Sequence, residues 1–479
     1  MHWACRNDAK YTKGEKSLDF TGFSFVTVVS FVFEKRCHVK NGRANKSNSS
    51  HSKISRRHFG ALSERRTVRT SFTPLIRSAK IRAIRGKERM SRLKRNSLYL
   101  LLTRITAQAL SILFIALLAR RLGVADFGQF TFIAAIILLG NTFTNFGTDT
   151  TLIRELNRAP APRLIAQSFA LQLTLSVLWL IVTFILKPNL SLLLYSLALF
   201  PLALFSIATA ALRARERMEL VLALSLINGI LQLLAAFFSL DISALILYLL
   251  IGHFLTAVFS YLLCNASLPD FQLIPLPNIF PLLKLTLPFA ALTFLLVLSQ
   301  RLGVLATTLL LGDSATGIFS AAARIVDGLK LGHYAILGAL LPVISRRAPE
   351  AAHSFRMGFL LLIFASLFMS IVLSLFPKFI IVLLYGERFL PAVHLLALFG
   401  WSLIPYTVSS FLSYHLIAQG REIGLVKATA ISLALFLALY LWLIPRFQIP
   451  GAIYAALIGE IIQAIVFIVV ASRRSTMNR

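Results

Sequence analysis

The feature that most constrains this chain is a series of apolar runs, each of membrane-crossing length and set off from the next by a short polar break. From Ser97 onward they lie at about 97–119, 127–149, 163–186, 190–212, 219–238, 243–263, 284–310, 316–341, 355–376, 391–416, 423–444 and 450–472. A helix needs about 20 such residues to cross the hydrocarbon core of a bilayer. In lipid the backbone must satisfy its own hydrogen bonds, so each run is expected as a helix. The fold class is therefore an all-α polytopic membrane protein of about 12 transmembrane helices. Composition agrees: the 479 residues are 57% hydrophobic and 14% charged, where soluble proteins carry about 25% charged residues.

The formal charge of +30 would otherwise suggest nucleic acid, but its distribution argues against that partner. Before Asn96 lie 24 Lys and Arg against 6 Asp and Glu, so more than half of the excess sits in the first fifth of the chain. This leader, residues 1–90, contains one apolar stretch, Thr21 to Phe33, which is too short to span. The rest, including Asn45 to His51, cannot bury a core and is expected to be disordered. No folded module or interleaved aromatic pattern is present to read bases. The favoured reading starts the protein at Met90, with Arg92, Lys94 and Arg95 leading into the first helix. The alternative is an organellar transit segment or an arm for anionic lipid. Cys5, Cys37 and Cys264 are too scattered for a disulfide framework or a metal site, and neither metal nor cofactor is expected.

Twelve spans put both ends on one side. Arg154, Arg158, Arg163, Arg213, Arg215, Arg217, Arg346, Arg347, Arg356, Arg421, Arg473, Arg474 and Arg479 then fall on the side of the N-terminus. Only Arg120, Arg121, Lys187, Lys378, Arg388 and Arg446 fall opposite. The positive-inside rule places both termini in the cytoplasm of a cell inner membrane. Residues 264–283 form a nearly uncharged loop between halves, and Phe379 to Tyr385 reads as an interfacial segment. Prolines 188, 288, 342, 377, 391, 445 and 450 mark boundaries, as expected of a residue that removes a helix donor.

No GxxxxGK[ST] loop, HExxH pair or G-x-S-x-G elbow occurs, so neither an ATP-driven pump nor a hydrolase on those templates is supported. No catalytic residue is assigned. There is instead an internal repeat: Leu122 to Phe130 and Leu311 to Phe319 both read L-G-x-x-x-x-G-x-F, 189 residues apart, each entering a span. A fainter echo pairs Arg215-Glu216 with Arg421-Glu422. Six spans per half insert in the same sense and are related by an axis along the membrane normal, a transporter arrangement. The lobes run 91–263 and 284–479, with 264–283 as linker.

Charges within the spans are costly and mark function by default. Span eight carries Arg324, Asp327, Lys330 and His333 at successive i+3 steps, the first three within about 120° of one face. Span seven adds Arg301, span one Arg104, span six His253 and span twelve Glu460. Each has a plainer reading: Asp327 as ion-pair partner of Arg324 or Lys330, Arg104 snorkelling to the surface, His253 as a hydrogen-bonded packing residue, Glu460 as helix-to-helix glue. Arg301 and Arg324 are the sharpest candidates, because Asp327 is the evident counter-charge for both. An excess of cations suits an anionic ligand, and guanidinium binds phosphate oxygens in bidentate fashion.

Between Ser91 and Ser472 the chain resembles the polysaccharide-exporter flippases of the multidrug/oligosaccharidyl-lipid/polysaccharide (MOP) superfamily, the O-antigen type. The resemblance rests on Lys94 to Ser97, Ala119 to Gly128, Phe146-Gly147 followed by Arg154-Glu155, Gly317 to Arg324, Leu341-Pro342 and Leu384 to Phe389. It implies two six-helix lobes around a cationic cavity and the flipping of a polyprenyl-diphosphate-linked oligosaccharide by alternating access, for O-antigen, capsule or exopolysaccharide. Arg301, Arg324, Lys330 and Arg104 would then be the substrate-binding cations, Asp327 or Glu460 the coupling or ion-pair carboxylates, and Gly123, Phe127, Gly128, Arg154, Glu155 and Gly317 the motif and gating positions. Partners would be the bilayer, the polyprenyl-diphosphate glycan, a polysaccharide polymerase and glycosyltransferases. One departure is that Arg301 is followed by Leu302-Gly303, where relatives place an acid, so no coupling carboxylate carries over there. The alternatives are a flippase for a lipid-linked peptidoglycan precursor and a cation-coupled multidrug exporter. The second fits poorly, since spans one to six hold almost no acid beyond Asp149, read as lying at a span end. A glycan polymerase or ligase would need a larger outward loop than 377–390.

Overall fold

The computed structural model describes residues 72–157, 161–186, 189–268, 271, 273, 279–345, 349–419 and 421–472. The leader up to residue 71, residues 269, 270, 272 and 274–278 of the loop 264–283, Arg158, Lys187, Arg346, Arg347, Arg473, Arg474 and Arg479 lie outside the described residues, as does the side chain of His333.

The helices are α1 (Phe72–Leu122), α2 (Val124–Asn145), α3 (Thr148–Leu156), α4 (Pro162–Leu186), α5 (Leu190–Ser196), α6 (Leu199–Ala214), α7 (Met218–Phe238), α8 (Ile242–Ser267), α9 (Phe280–Leu311), α10 (Asp313–Ser345), α11 (Pro349–Leu375), α12 (Pro377–Tyr385), α13 (Ala392–Phe399), α14 (Leu403–Ala418) and α15 (Glu422–Ser472). No strand occurs among the described residues. Ten stretches are long and apolar enough to cross a membrane, among them α5 with α6 as Leu190–Ala214, and Ile423–Ser472. The last holds two of the expected spans, because α15 breaks at Gln448 (φ 56°, ψ −135°) between Pro445 and Pro450. The remaining span is α10, 33 residues long, whose charges lower its hydropathy. The expected set of twelve is thereby accounted for. The segment read as interfacial is the short helix α12, with a proline in its first turn and Gly386 at φ 88° beyond its end.

Several boundaries follow from local chemistry. Asn189 caps α5 by accepting from the Ser191 N–H, and Asp241 caps α8 by accepting from the Ala244 N–H at 2.7 Å. Glycines open α2 and α10: Gly123 and Gly312 share φ 83° and ψ −175°, a conformation essentially closed to other residues.

Helices before residue 268 pack mainly on one another, α1 on α7, α6 and α7 on α8, and α2 on α4. Those after residue 280 do likewise, α9 and α14 on α15, and α10 on α11, α13 and α14. The halves meet where α2 packs on α9 and α10. Phe127, Ile133, Val326 and Phe389 are fully buried in the core that joins them. Around the outside, Leu113, Phe184, Ile185, Phe254 and Phe364 are exposed, an apolar belt suited to lipid.

Candidate functional site

The repeat motif builds a reciprocal contact between the halves. A Cβ placed on Gly128 would collide with the carbonyl oxygen of Asp313, and one on Gly317 would collide with that of Val124. Each helix thus lays the glycine of its fifth residue against the first residue of the other, and the two backbones touch as they do where small residues let helices cross closely. Aromatic and basic side chains close around this crossing. Phe127 meets the Phe389 ring edge-to-face at 5.5 Å between centroids, and Tyr385 lies 6.1 Å away. Arg120 Nε donates to the Leu384 carbonyl at 3.1 Å, with Nη2 on the carbonyls of Val382 and Leu383. These are the last carbonyls of α12, where a cation is favoured by the helix dipole. The expected motif residues Phe127, Gly128 and Gly317 therefore lie together at this crossing, with Gly123 at the start of α2 beside it. Arg154 and Glu155 do not join it: they pair with each other at 2.9 Å on the last turn of α3.

The span charges gather in the second half. Arg301, ten residues before the end of α9, places Nη1 3.6 Å from Asp327 Oδ2 on α10. Asp327 therefore pairs across helices, not with Arg324 or Lys330 on its own. Arg324, one turn from Asp327, lies within electrostatic reach of Arg301, Asp327 and Tyr385 but makes no ion pair among the described residues. Lys330 Nζ sits 2.7 Å from Glu460 Oε1 on α15, with both side chains nearly buried, and lies over the rings of Tyr406 at 4.7 Å and Phe399 at 5.6 Å. Glu460 Oε2 and Arg301 Nε have no hydrogen-bond partner among the described residues. Tyr440 stands within electrostatic reach of both Glu460 and Asp327, and Gly303 leaves room for its hydroxyl.

Arg104 is exposed on α1, within electrostatic reach of Arg213 and of Tyr414 in the second half, and one turn on, Gln108 approaches Gly328 beside Asp327. His253 is buried against Tyr195, Nε2 to hydroxyl 3.4 Å, which is the packing role. Sequence reasoning missed Tyr385, Tyr406 and Tyr440, since a tyrosine in an apolar run looks like core. After Asn145 the chain breaks at Phe146 (φ 48°) and Gly147 (φ 72°), both left-handed, and continues as α3, so Asp149 lies just beyond the span, at its end as the sequence suggests.

The family model described as polysaccharide biosynthesis protein matches residues 93–348. Among solved structures the chain is similar to the lipid II flippase MurJ in an inward closed conformation, at 15% identity and a TM-score of 0.64, covering 78% of this chain and 87% of that one. It is similar to an inward-facing multidrug resistance MATE family transporter of the MOP superfamily, at 16% identity and a TM-score of 0.60, covering 76% and 93%. An outward-facing MATE family transporter gives 14% identity and a TM-score of 0.53, covering 77% and 92%. No curated protein matches in sequence.

Proposed function

The chain belongs to the polysaccharide biosynthesis protein family, and on that premise we propose that it is a transporter of the MOP superfamily that flips a polyprenyl-diphosphate-linked oligosaccharide across the cytoplasmic membrane. The observation that carries this reading is Arg324, a span cation with no ion pair among the described residues, set beside Arg301 and a single shared carboxylate. Two guanidinium groups on adjacent helices match a diphosphate, which offers oxygens to both in bidentate fashion. The prenyl tail stays in lipid and the glycan occupies the wet space between lobes 91–263 and 284–479, which the segment 264–283 links.

Binding exchanges partners. The diphosphate takes Arg324 first and competes with Asp327 for Arg301, which at 3.6 Å is loosely held. Lys330 is already neutralised by Glu460, so it contributes only once that pair opens. Both termini face the cytoplasm, so the glycine crossing faces outward, and the contact of α2 with α10 keeps the outward side shut while substrate loads. Separation of the two glycines then opens the outward path. Glycosyltransferases supply the substrate and a polysaccharide polymerase consumes it. The chain itself does no covalent chemistry.

The test is thermal melting of the purified protein with a polyprenyl diphosphate and with the matching polyprenyl alcohol. The diphosphate is expected to raise the melting temperature, and the double variant Arg301→Ala with Arg324→Ala to lose that rise. Equal shifts from alcohol and diphosphate would overturn the reading.

A further inference from the structure

Asp327 and Glu460 are each held by a cation, Arg301 and Lys330, and a third carboxylate follows the span Val124–Asn145, on the short helix α3. The third, Asp149, makes no ion pair among the described residues. Its depth is read from its neighbours. Ser206 Oγ, which donates to Asp149 Oδ1 at 2.6 Å, is eight residues before the end of α6, about 12 Å along the helix. Gln172 Nε2 donates to Thr148 Oγ1 at 2.6 Å from ten residues inside α4, about 15 Å. Asp149 therefore sits well inside the bundle, at the break between α2 and α3 and away from the glycine crossing.

Its other contacts are uncharged. Asn145 Nδ2 donates to Ser206 Oγ at 3.0 Å, and the Asp149 N–H donates to Asn145 Oδ1 at 3.4 Å. Of the elements packed on α3, α6 brings Arg213, whose field reaches Asp149 without forming a pair and whose Nε has no hydrogen-bond partner among the described residues. The helix α4 brings neutral Gln172, with Arg163 at its far end. On α3 itself Arg154 and Glu155 pair together, and the acid of α2, Asp126, is in its first turn at the opposite end.

A carboxylate beside a cation stays ionised, because the pair favours the charged form; one enclosed by helices without such a partner is neutralised most simply by a proton. We infer that Asp149 is a proton-binding site in the first half of the molecule, loaded and emptied from the side where α3 ends. The proton adds to a carboxylate oxygen, and the Ser206 hydroxyl, which donates to the anion, turns to accept from the acid. Use of this proton in transport rests on the flippase reading, but its binding does not. Asp149 also lies in the first turn of α3, where an acid stabilises a helix electrostatically, and the test separates the two roles.

The full chain in lipid nanodiscs is titrated by infrared difference spectroscopy, following the C=O band of protonated carboxyl groups. Asp149→Asn, whose amide also serves a helix N-terminus well, is expected to lose one titrating band that the parent shows and that Glu460→Gln retains. Ser206→Ala is expected to keep the band but move it to higher frequency, since the acid loses a hydrogen-bond partner. An unchanged spectrum in Asp149→Asn overturns the assignment. So does suppression of the band by sodium chloride but not by choline chloride, which would make the ligand a metal cation. Since no lipid-linked glycan is present, failure of the flippase reading leaves this result untouched.

Discussion

The two copies of the repeat begin alike and then diverge. Both open on a glycine at φ 83° and run 33 residues, 124–156 as α2 with α3 and 313–345 as α10. At their starts they are interchangeable, each glycine seated on the first residue of the other helix. Farther along, Arg324, Asp327 and Lys330 of α10 correspond to Ala135, Leu138 and Asn141 of α2, and where α10 continues α2 breaks at Phe146-Gly147 and sets Asp149 against Ser206 of α6. The symmetric part is the part that must meet itself, and a reciprocal contact requires the same small residue twice. No such constraint acts on the inner stretches, so one half became the cationic site and the other a broken helix with an unpaired acid.

The largest expected effect breaks the second half at its ion pair. Lys330→Met or Glu460→Leu alone leaves a buried charge without its partner and should cost about 3 to 5 kcal/mol, whereas the double variant should recover most of it. Chemical denaturation in mixed micelles reads the difference, and equal losses in single and double variants would show that the pair is not coupled. Next, Arg301→Ala with Arg324→Ala should lower the rate of glycan export on the order of a hundredfold, equivalent to about 2.7 kcal/mol, at normal protein levels.

The crossing itself is sharpened by Gly128→Ala and Gly317→Ala. Each should destabilise the state with the glycine end closed by about 1 to 3 kcal/mol through overpacking, and the two should be nearly equal because the contact is reciprocal. Gly332→Ala, farther along α10 with open space around it, is the control and should change melting little. Asp149→Asn should have the smallest effect on stability, within about 0.5 kcal/mol, since Asn serves a helix N-terminus as well as Asp does. A large loss there would mean that the carboxylate is structural.

Much of this was legible in the sequence, for reasons that differ by feature. Twelve runs of apolar residues dictate twelve helices because lipid offers the backbone no other partner. The span 316–341 within α10 was readable as an apolar run despite its charges, and the match of Gly312 and Phe319 to Gly123 and Phe130 supports its start. Glu460 was recognised as deep, but its pairing with Lys330 was not, because 130 residues separate them and nothing local records which helices of a bundle touch. The end of the second span near Asp149 was legible because hydropathy falls at Asn145 to Asp149, but the left-handed break and the contact of Asp149 with Ser206 on α6 were not.

The most direct test is made in the cell that carries the gene. The gene is deleted, and surface glycan and the lipid-linked oligosaccharide pool are both measured by mass spectrometry. The account predicts that surface glycan disappears, that a polyprenyl-diphosphate oligosaccharide accumulates, and that the parent restores both while Arg301→Ala with Arg324→Ala does not. Unchanged pools together with increased toxicity of cationic drugs would contradict it and make the protein a drug exporter.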